Sequence, residues 1–141
     1  TVLVYGSETW PLKVEDVRRL ERTERMMVRW MCGVRLNQRC PSNLLLERLG
    51  VEGVEEVMRI GRLRWLGHVE QKDKRVWVSA CRDVKVEGRA GKGRGRKVWM
   101  QVVEDDMKRK GLTRGMAGDR ELWRSRSVGN RPTCACTERW T

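Results

Sequence analysis

From Val14 the apolar positions recur at helical intervals. Val17, Leu20, Met27, Val28 and Met31 share a face with Glu24, Glu15 and Asp16 fall in the first turn, and Gly33 stands where a helix stops. The spacing predicts an amphipathic helix whose outer side sets Glu15 before Arg19 and Glu21 before Arg25, the favourable acid-first order. A second, short helix is signalled by Pro41, by Ser42 as N-cap, by the apolar run from Leu44 and by Gly50 as terminator. A third is predicted over about Val54 to Val69. It buries Val54, Val57, Met58, Leu63 and Leu66 while Arg59, Arg62 and Arg64 project elsewhere, and Gly61 and Gly67 weaken it.

The rest of the pattern is less regular. Val76, Val78 and Ala80 alternate around Trp77, so Val76 to Val86 reads either as a strand or as a short helix. Helical rhythm returns with Val98, Trp99, Val102, Val103, Asp106 and Met107 and ends at Gly111, and a weaker helix is expected from about Thr113 to Arg126. Beyond Val128 there is no periodicity, and a tail is expected. At the other end, Thr1 to Trp10 combines β-branched and aromatic residues around Gly6 and reads as a short strand running into a turn at Pro11. No other segment offers it a convincing partner strand. That mismatch, with a start at Thr1 that has neither initiator Met nor leader, points to a fragment of a longer protein.

The expected architecture is therefore mainly α: a small helical bundle with a short N-terminal strand, a Gly/Arg/Lys-rich loop and an irregular tail. Its boundaries fall at 1–12 for the end of a preceding domain, 13–81 for a helical core, 82–97 for the loop, 98–127 for the C-terminal helices and 128–141 for the tail. At 141 residues, 39% hydrophobic and 35% charged, the chain is long enough for one domain with a modest core.

Charge changes the picture most. Thirty-one Lys and Arg against nineteen Asp and Glu leave +12, more than a fold of this size neutralises internally, and a polyanionic partner, RNA or DNA, is the simplest reason for the surplus. The surplus is densest from Arg82 to Lys97 and from Arg59 to Arg64. Gly88 to Lys97 alone holds four glycines and five basic residues in ten positions, a composition that reads as a mobile loop. It is no P-loop: Lys92 follows Gly91, but Val86 stands where the first glycine belongs and Gly93 where a hydroxyl residue should hold magnesium. What survives is a ribbon able to follow phosphates, releasing counterions as it does so; the competing reading is a solvated linker.

Other candidate chemistry is thin. Glu104, Asp105 and Asp106 invite a divalent-metal reading, yet on a helix Asp105 and Asp106 point about 100° apart, and they look like the acidic side of a surface helix. Five cysteines, an odd number at irregular spacing, argue for reduced thiols and an intracellular setting, nuclear or cytoplasmic. Only Cys134 and Cys136 approach zinc-ligand spacing, and His68 is the only histidine, so neither a metal site nor a nucleophile triad is complete. No cofactor is implied, and the longest apolar runs fall far short of the roughly 20 residues of a membrane span. Seven tryptophans with no phenylalanine are unusual. Trp65 after Arg64 and Trp99 after Lys97 could stack on bases, but helical spacing favours core positions for the set.

Four stretches taken together resemble the carboxy-terminal region of non-LTR retrotransposon (LINE-type) reverse transcriptases: Tyr5-Gly-Ser-Glu-Thr-Trp10, Arg62-Leu-Arg-Trp-Leu-Gly-His-Val69, the Gly93 to Lys97 run with Trp99, and Asp119-Arg120 with Trp123-Arg124. The resemblance covers about Leu3 to Arg124. It implies the end of a polymerase palm leading into a thumb-like helical segment that contacts template and primer without performing synthesis, since no aromatic-x-Asp-Asp motif is present. Arg62, Arg64, His68, Arg94, Arg96, Lys97 and Trp99 occupy the family's characteristic positions. With the basic pattern, the expected nucleic-acid-binding set is Arg59, Arg62, Arg64, His68, Arg89, Lys92, Arg94, Arg96, Lys97 and Trp99, with no catalytic and no metal-binding residue. Two alternatives stay open: a helical protein-interaction module whose Val17 to Met31 stripe docks a partner or the missing palm, and an inactive remnant of such an element.

Overall fold

A computed structural model of the chain describes residues 2–73, 76–84, 95 and 97–128. Among them the protein is mainly helical, with six α-helices and three short 3-10 segments: α1 (Val14–Met31), α2 (Ser42–Leu49), α3 (Val54–Glu70), α4 (Trp77–Asp83), α5 (Trp99–Lys110) and α6 (Arg120–Val128). Spacing anticipated α1, α2, α3 and α5 closely. Pro41, with Ser42 already helical, occupies the cap position of α2. The ambiguous stretch after Val76 is the helix α4. The last predicted helix is split into a 3-10 segment over Arg114–Gly118 and α6. Asp119 makes the second start, its Oδ1 accepting the backbone N–H groups of Glu121 and Leu122 at 3.0 Å each.

The expected N-terminal strand is not formed: Val2–Val4 and Ser7–Thr9 are 3-10 turns, and no strand occurs among the described residues. Gly6 lies between them at φ 71°, a left-handed conformation that reverses the chain where an extended run would continue. Local β propensity had no sheet to join, and packing decided the outcome instead. The Ser7–Thr9 turn lies against α3, so near that a Cβ at Gly61 would sit 3.3 Å from Glu8 Cγ. From across the molecule, Trp99 Nε1–H donates to the Glu8 carbonyl at 2.7 Å and fixes the turn in place.

Helix α3 is the axis of the fold, contacting α1, α4, α5, α6 and both the Ser7–Thr9 and Arg114–Gly118 segments. One continuous core joins Leu63 and Leu66 of α3 to Val103 and Met107 of α5, then to Leu112, Ala117 and Trp123, with Trp99 and Met116 packed on its edge. Trp123 comes nearest: a Cβ at Gly67 would lie 2.3 Å from its Nε1, and that same N–H donates to the Leu63 carbonyl at 2.9 Å. Glycine is thus the residue that lets α6 seat its indole on α3.

At the other end, Arg29 organises the segment after α1. Its guanidinium donates to the carbonyls of Arg35 (2.7 Å), Gln38 (2.6 Å) and Cys40 (3.2 Å), gathering that loop around one side chain. Val28 is the only α1 residue fully buried. Met27 and Met31, expected on the inner face, are exposed, as are Met26, Trp30 and Leu36. No helix among the described residues is long and apolar enough to cross a membrane.

Candidate functional site

The arginines of α3 part company. Arg59 and Arg62 share the i, i+3 stripe that faces α5, and there they meet Asp106. Arg62 Nε donates to Asp106 Oδ2 at 2.7 Å and Arg59 Nε to Oδ1 at 3.3 Å. Arg62 and Asp106 are each only 5% exposed. Arg59 also pairs with Glu55 and Glu56 one turn back, and Lys110 and Arg109 reach the same two carboxylates from α5. Burial pushes the Glu56 carboxyl up, but the Lys110 hydrogen bond and the Arg59 and Lys110 charges outweigh it and hold the group below its ordinary value. Arg59 and Arg62, expected to project away from the buried side of the helix, instead place their charge inside a clamp between α3 and α5. Asp106, read from sequence as a surface acid, is the centre of that clamp.

Arg64 points the other way. Two residues past Arg62 is about 200° around the helix, which carries it out of the α5 interface and onto an open cavity of about 780 Å³. Three elements wall this cavity. The N-terminal turn supplies Tyr5 and Glu8; α3 supplies Arg64, Trp65 and His68; and α6 supplies Arg120 and Arg124, one helical turn apart. Trp123, buried below, holds the α6 wall at its distance from α3. Tyr5 is 85% exposed and Trp65 37%. The Trp65 and His68 rings lie 5.7 Å apart and tilted by 30°. Among the described residues no carboxylate lies within ion-pairing distance of Arg64, Arg120 or Arg124.

Of the residues expected to bind, Arg64 and His68 line this cavity. Trp99 is half-buried and holds the N-terminal turn. Lys97 is exposed and pairs with Asp105 at 3.0 Å; its hydrogen bond and then its charge keep the Asp105 carboxyl below the usual range. Arg89, Lys92, Arg94 and Arg96 lie outside the described residues, as do Cys134, Cys136 and the expected tail. Tyr5, Arg120 and Arg124 were not among the expected binders, although all three belong to stretches that carried the family resemblance. Arg120 and Arg124 had the signal of basic residues around Trp123, and Tyr5 had none of that kind; what brings them together is the seating of α6 on α3.

Tryptophan was expected mostly in the core, yet only Trp123 among the six described is buried, while Trp10, Trp30, Trp65 and Trp77 are exposed. Cys32, Cys40 and Cys81 are free thiols. No cluster of three or more His, Cys, Asp or Glu among the described residues is placed to hold a metal ion.

Described parts of the stretches that carry the resemblance lie near one another. The Ser7–Thr9 turn packs on α3, Trp99 donates to Glu8 of that turn, and Trp123 packs on Gly67 and donates to Leu63 of α3. No family model, curated protein or solved structure matches the chain.

Proposed function

We propose that this chain holds nucleic acid by its phosphate backbone, as a non-catalytic, thumb-like part of a retroelement reverse transcriptase. The observation that carries the reading is the trio of Arg64, Arg120 and Arg124. These three cations converge on one cavity, and no carboxylate among the described residues lies within ion-pairing distance of them, in a chain with a +12 surplus. A cation left unpaired beside aromatic rings is suited to a phosphate, which accepts a guanidinium's paired N–H groups and releases counterions on binding. The family resemblance supplies the setting, since a segment downstream of a palm meets template and primer.

The test is a titration of labelled RNA and DNA over a salt series. Affinity should fall log-linearly with salt, and replacing all three arginines with glutamine should reduce the slope by about 2 to 3. Salt-independent binding, or none at low salt, rejects the reading.

A second reading draws on α1. Trp30 lies about 200° around the helix from Val28, so α1 carries one apolar face on the core and another, formed by Met26, Met27, Trp30 and Met31, on the outside. Exposed Arg22, Arg25, Arg35 and Arg39 stand on the same helix and the loop after it. That combination fits an acidic amphipathic protein segment. A designed helical peptide with leucine anchors flanked by glutamates should bind the chain and lose affinity to Trp30→Ala; equal binding to both rejects it.

A further inference from the structure

The cavity between the N-terminal turn, α3 and α6 has a property that backbone binding does not require, and from it we infer that the ligand is single-stranded, with at least one unpaired base seated against Tyr5 and Trp65. This inference rests on the nucleic-acid reading above. A duplex turns its phosphates outward and keeps its base faces stacked within, so it has little to offer a recess lined with rings. A single strand brings a flat π surface that stacks on any aromatic side chain. The volume of about 780 Å³ lies inside the range of roughly 300–1,000 Å³ typical of small-ligand pockets, a nucleotide's scale.

The charges within the cavity orient such a ligand. Arg120 and Arg124 stand on the α6 wall and Arg64 on α3, whereas the N-terminal wall carries Glu8, the only carboxylate among the described lining residues. A phosphate is drawn to the α6 side and repelled from the N-terminal side. The uncharged base then lies towards Tyr5, whose ring is almost fully exposed and so has no packing role to surrender. Trp65 offers its ring beside His68.

The experiment uses the full chain and compares a labelled oligothymidylate of about 12 nucleotides, within the usual site sizes of single-strand binders, with a duplex of equal length at matched salt. The single strand should bind more tightly. Tyr5→Ala and Trp65→Ala should each weaken it by roughly 5- to 150-fold, the loss expected for one stacked base, while Trp65→Phe retains most of the affinity and duplex binding changes little. Thermal unfolding of each variant establishes that the fold is intact, and because Tyr5 is exposed, its variant decides the matter if Trp65→Ala unfolds. Duplex bound as tightly as the single strand, or both weakened alike by Tyr5→Ala, overturns the inference and leaves the phosphate-binding reading standing. Absence of salt-dependent binding to either probe overturns both.

Discussion

Arg62 and Arg64 are two positions apart on α3 and have opposite surroundings. Arg62 is enclosed with Arg59 on Asp106, in a network that joins α3 to α5 through Glu55, Glu56, Arg109 and Lys110. Arg64, with Arg120 and Arg124, lines an open cavity, and no carboxylate among the described residues lies within ion-pairing distance of the three. The difference teaches that a basic stretch in sequence is not a basic surface. The α5 side of the helix uses cations as internal cross-links, where the return on each charge depends on its partner staying in place. The α6 side leaves cations free for an external anion. A count of basic residues therefore overstates the attractive surface by the number of arginines turned inward.

The largest expected effect comes from emptying the clamp. Asp106→Ala leaves the buried Arg62 without its carboxylate and Arg59 with Glu55 and Glu56 alone, and should lower stability by about 3–5 kcal/mol, the usual loss when one partner of a buried ion pair is removed. Chemical denaturation reads it, and a change under about 1 kcal/mol would mean that water already solvates the cluster. Gly67→Ala attacks the other side of α3. Its Cβ would stand 2.3 Å from the Trp123 indole, so α6 must shift at a cost of about 1–3 kcal/mol. Because α6 carries Arg120 and Arg124, nucleic-acid affinity should fall with it, whereas Asp106→Ala at a temperature where the fold survives should leave affinity largely intact.

Acid offers a gentler probe of the clamp. The Glu56 carboxyl is held below its unfolded value, so its contribution is complete above the ordinary glutamate value of 4.5 and is lost as pH falls through the lower folded value. Denaturation midpoints measured downward from neutral pH should show the decline, and Glu56→Gln should flatten it. The smallest effect on stability belongs to Arg64→Gln, expected within about 0.5 kcal/mol as for other surface positions, even though the same change should weaken nucleic-acid binding. A stability loss as large as that of Asp106→Ala would erase the contrast between the two sides of α3.

Much of this was legible in the chain. Helices α1, α3 and α5 follow from apolar spacing, and the ends of α2 and α5 follow from Gly50 and Gly111. Even the clamp left a trace, because Arg59, Arg62 and Leu66 lie on one i, i+3, i+7 stripe, and Asp106 keeps step with Val102, Val103 and Met107. What periodicity cannot provide is the partner, since the 44 positions between Arg62 and Asp106 are crossed only by the tertiary fold. The N-terminal segment misled for a related reason: Val2, Val4 and Tyr5 favour extended backbone locally, but Gly6 and the α3 surface impose turns. The cavity itself was divided among three stretches, two of which set an arginine beside a tryptophan (Arg64-Trp65 and Trp123-Arg124) while the third, around Tyr5, carries no basic residue. Their meeting depends on Gly67, a residue that helix propensity marks merely as a weakness.

The hydrogen bond from Trp99 to the Glu8 carbonyl spans 91 positions. During synthesis at roughly 5–20 residues per second, the N-terminal turn emerges some 5 to 18 seconds before the indole that fixes it. Trp123, which completes the opposite wall, follows later still. The Ser7–Thr9 turn is thus among the last of these segments to find its place, and Tyr5 takes its position at the cavity only when α5 and α6 have been delivered to it. A nascent chain halted before Trp99 would carry the α3 wall of the cavity without the α6 wall that faces it.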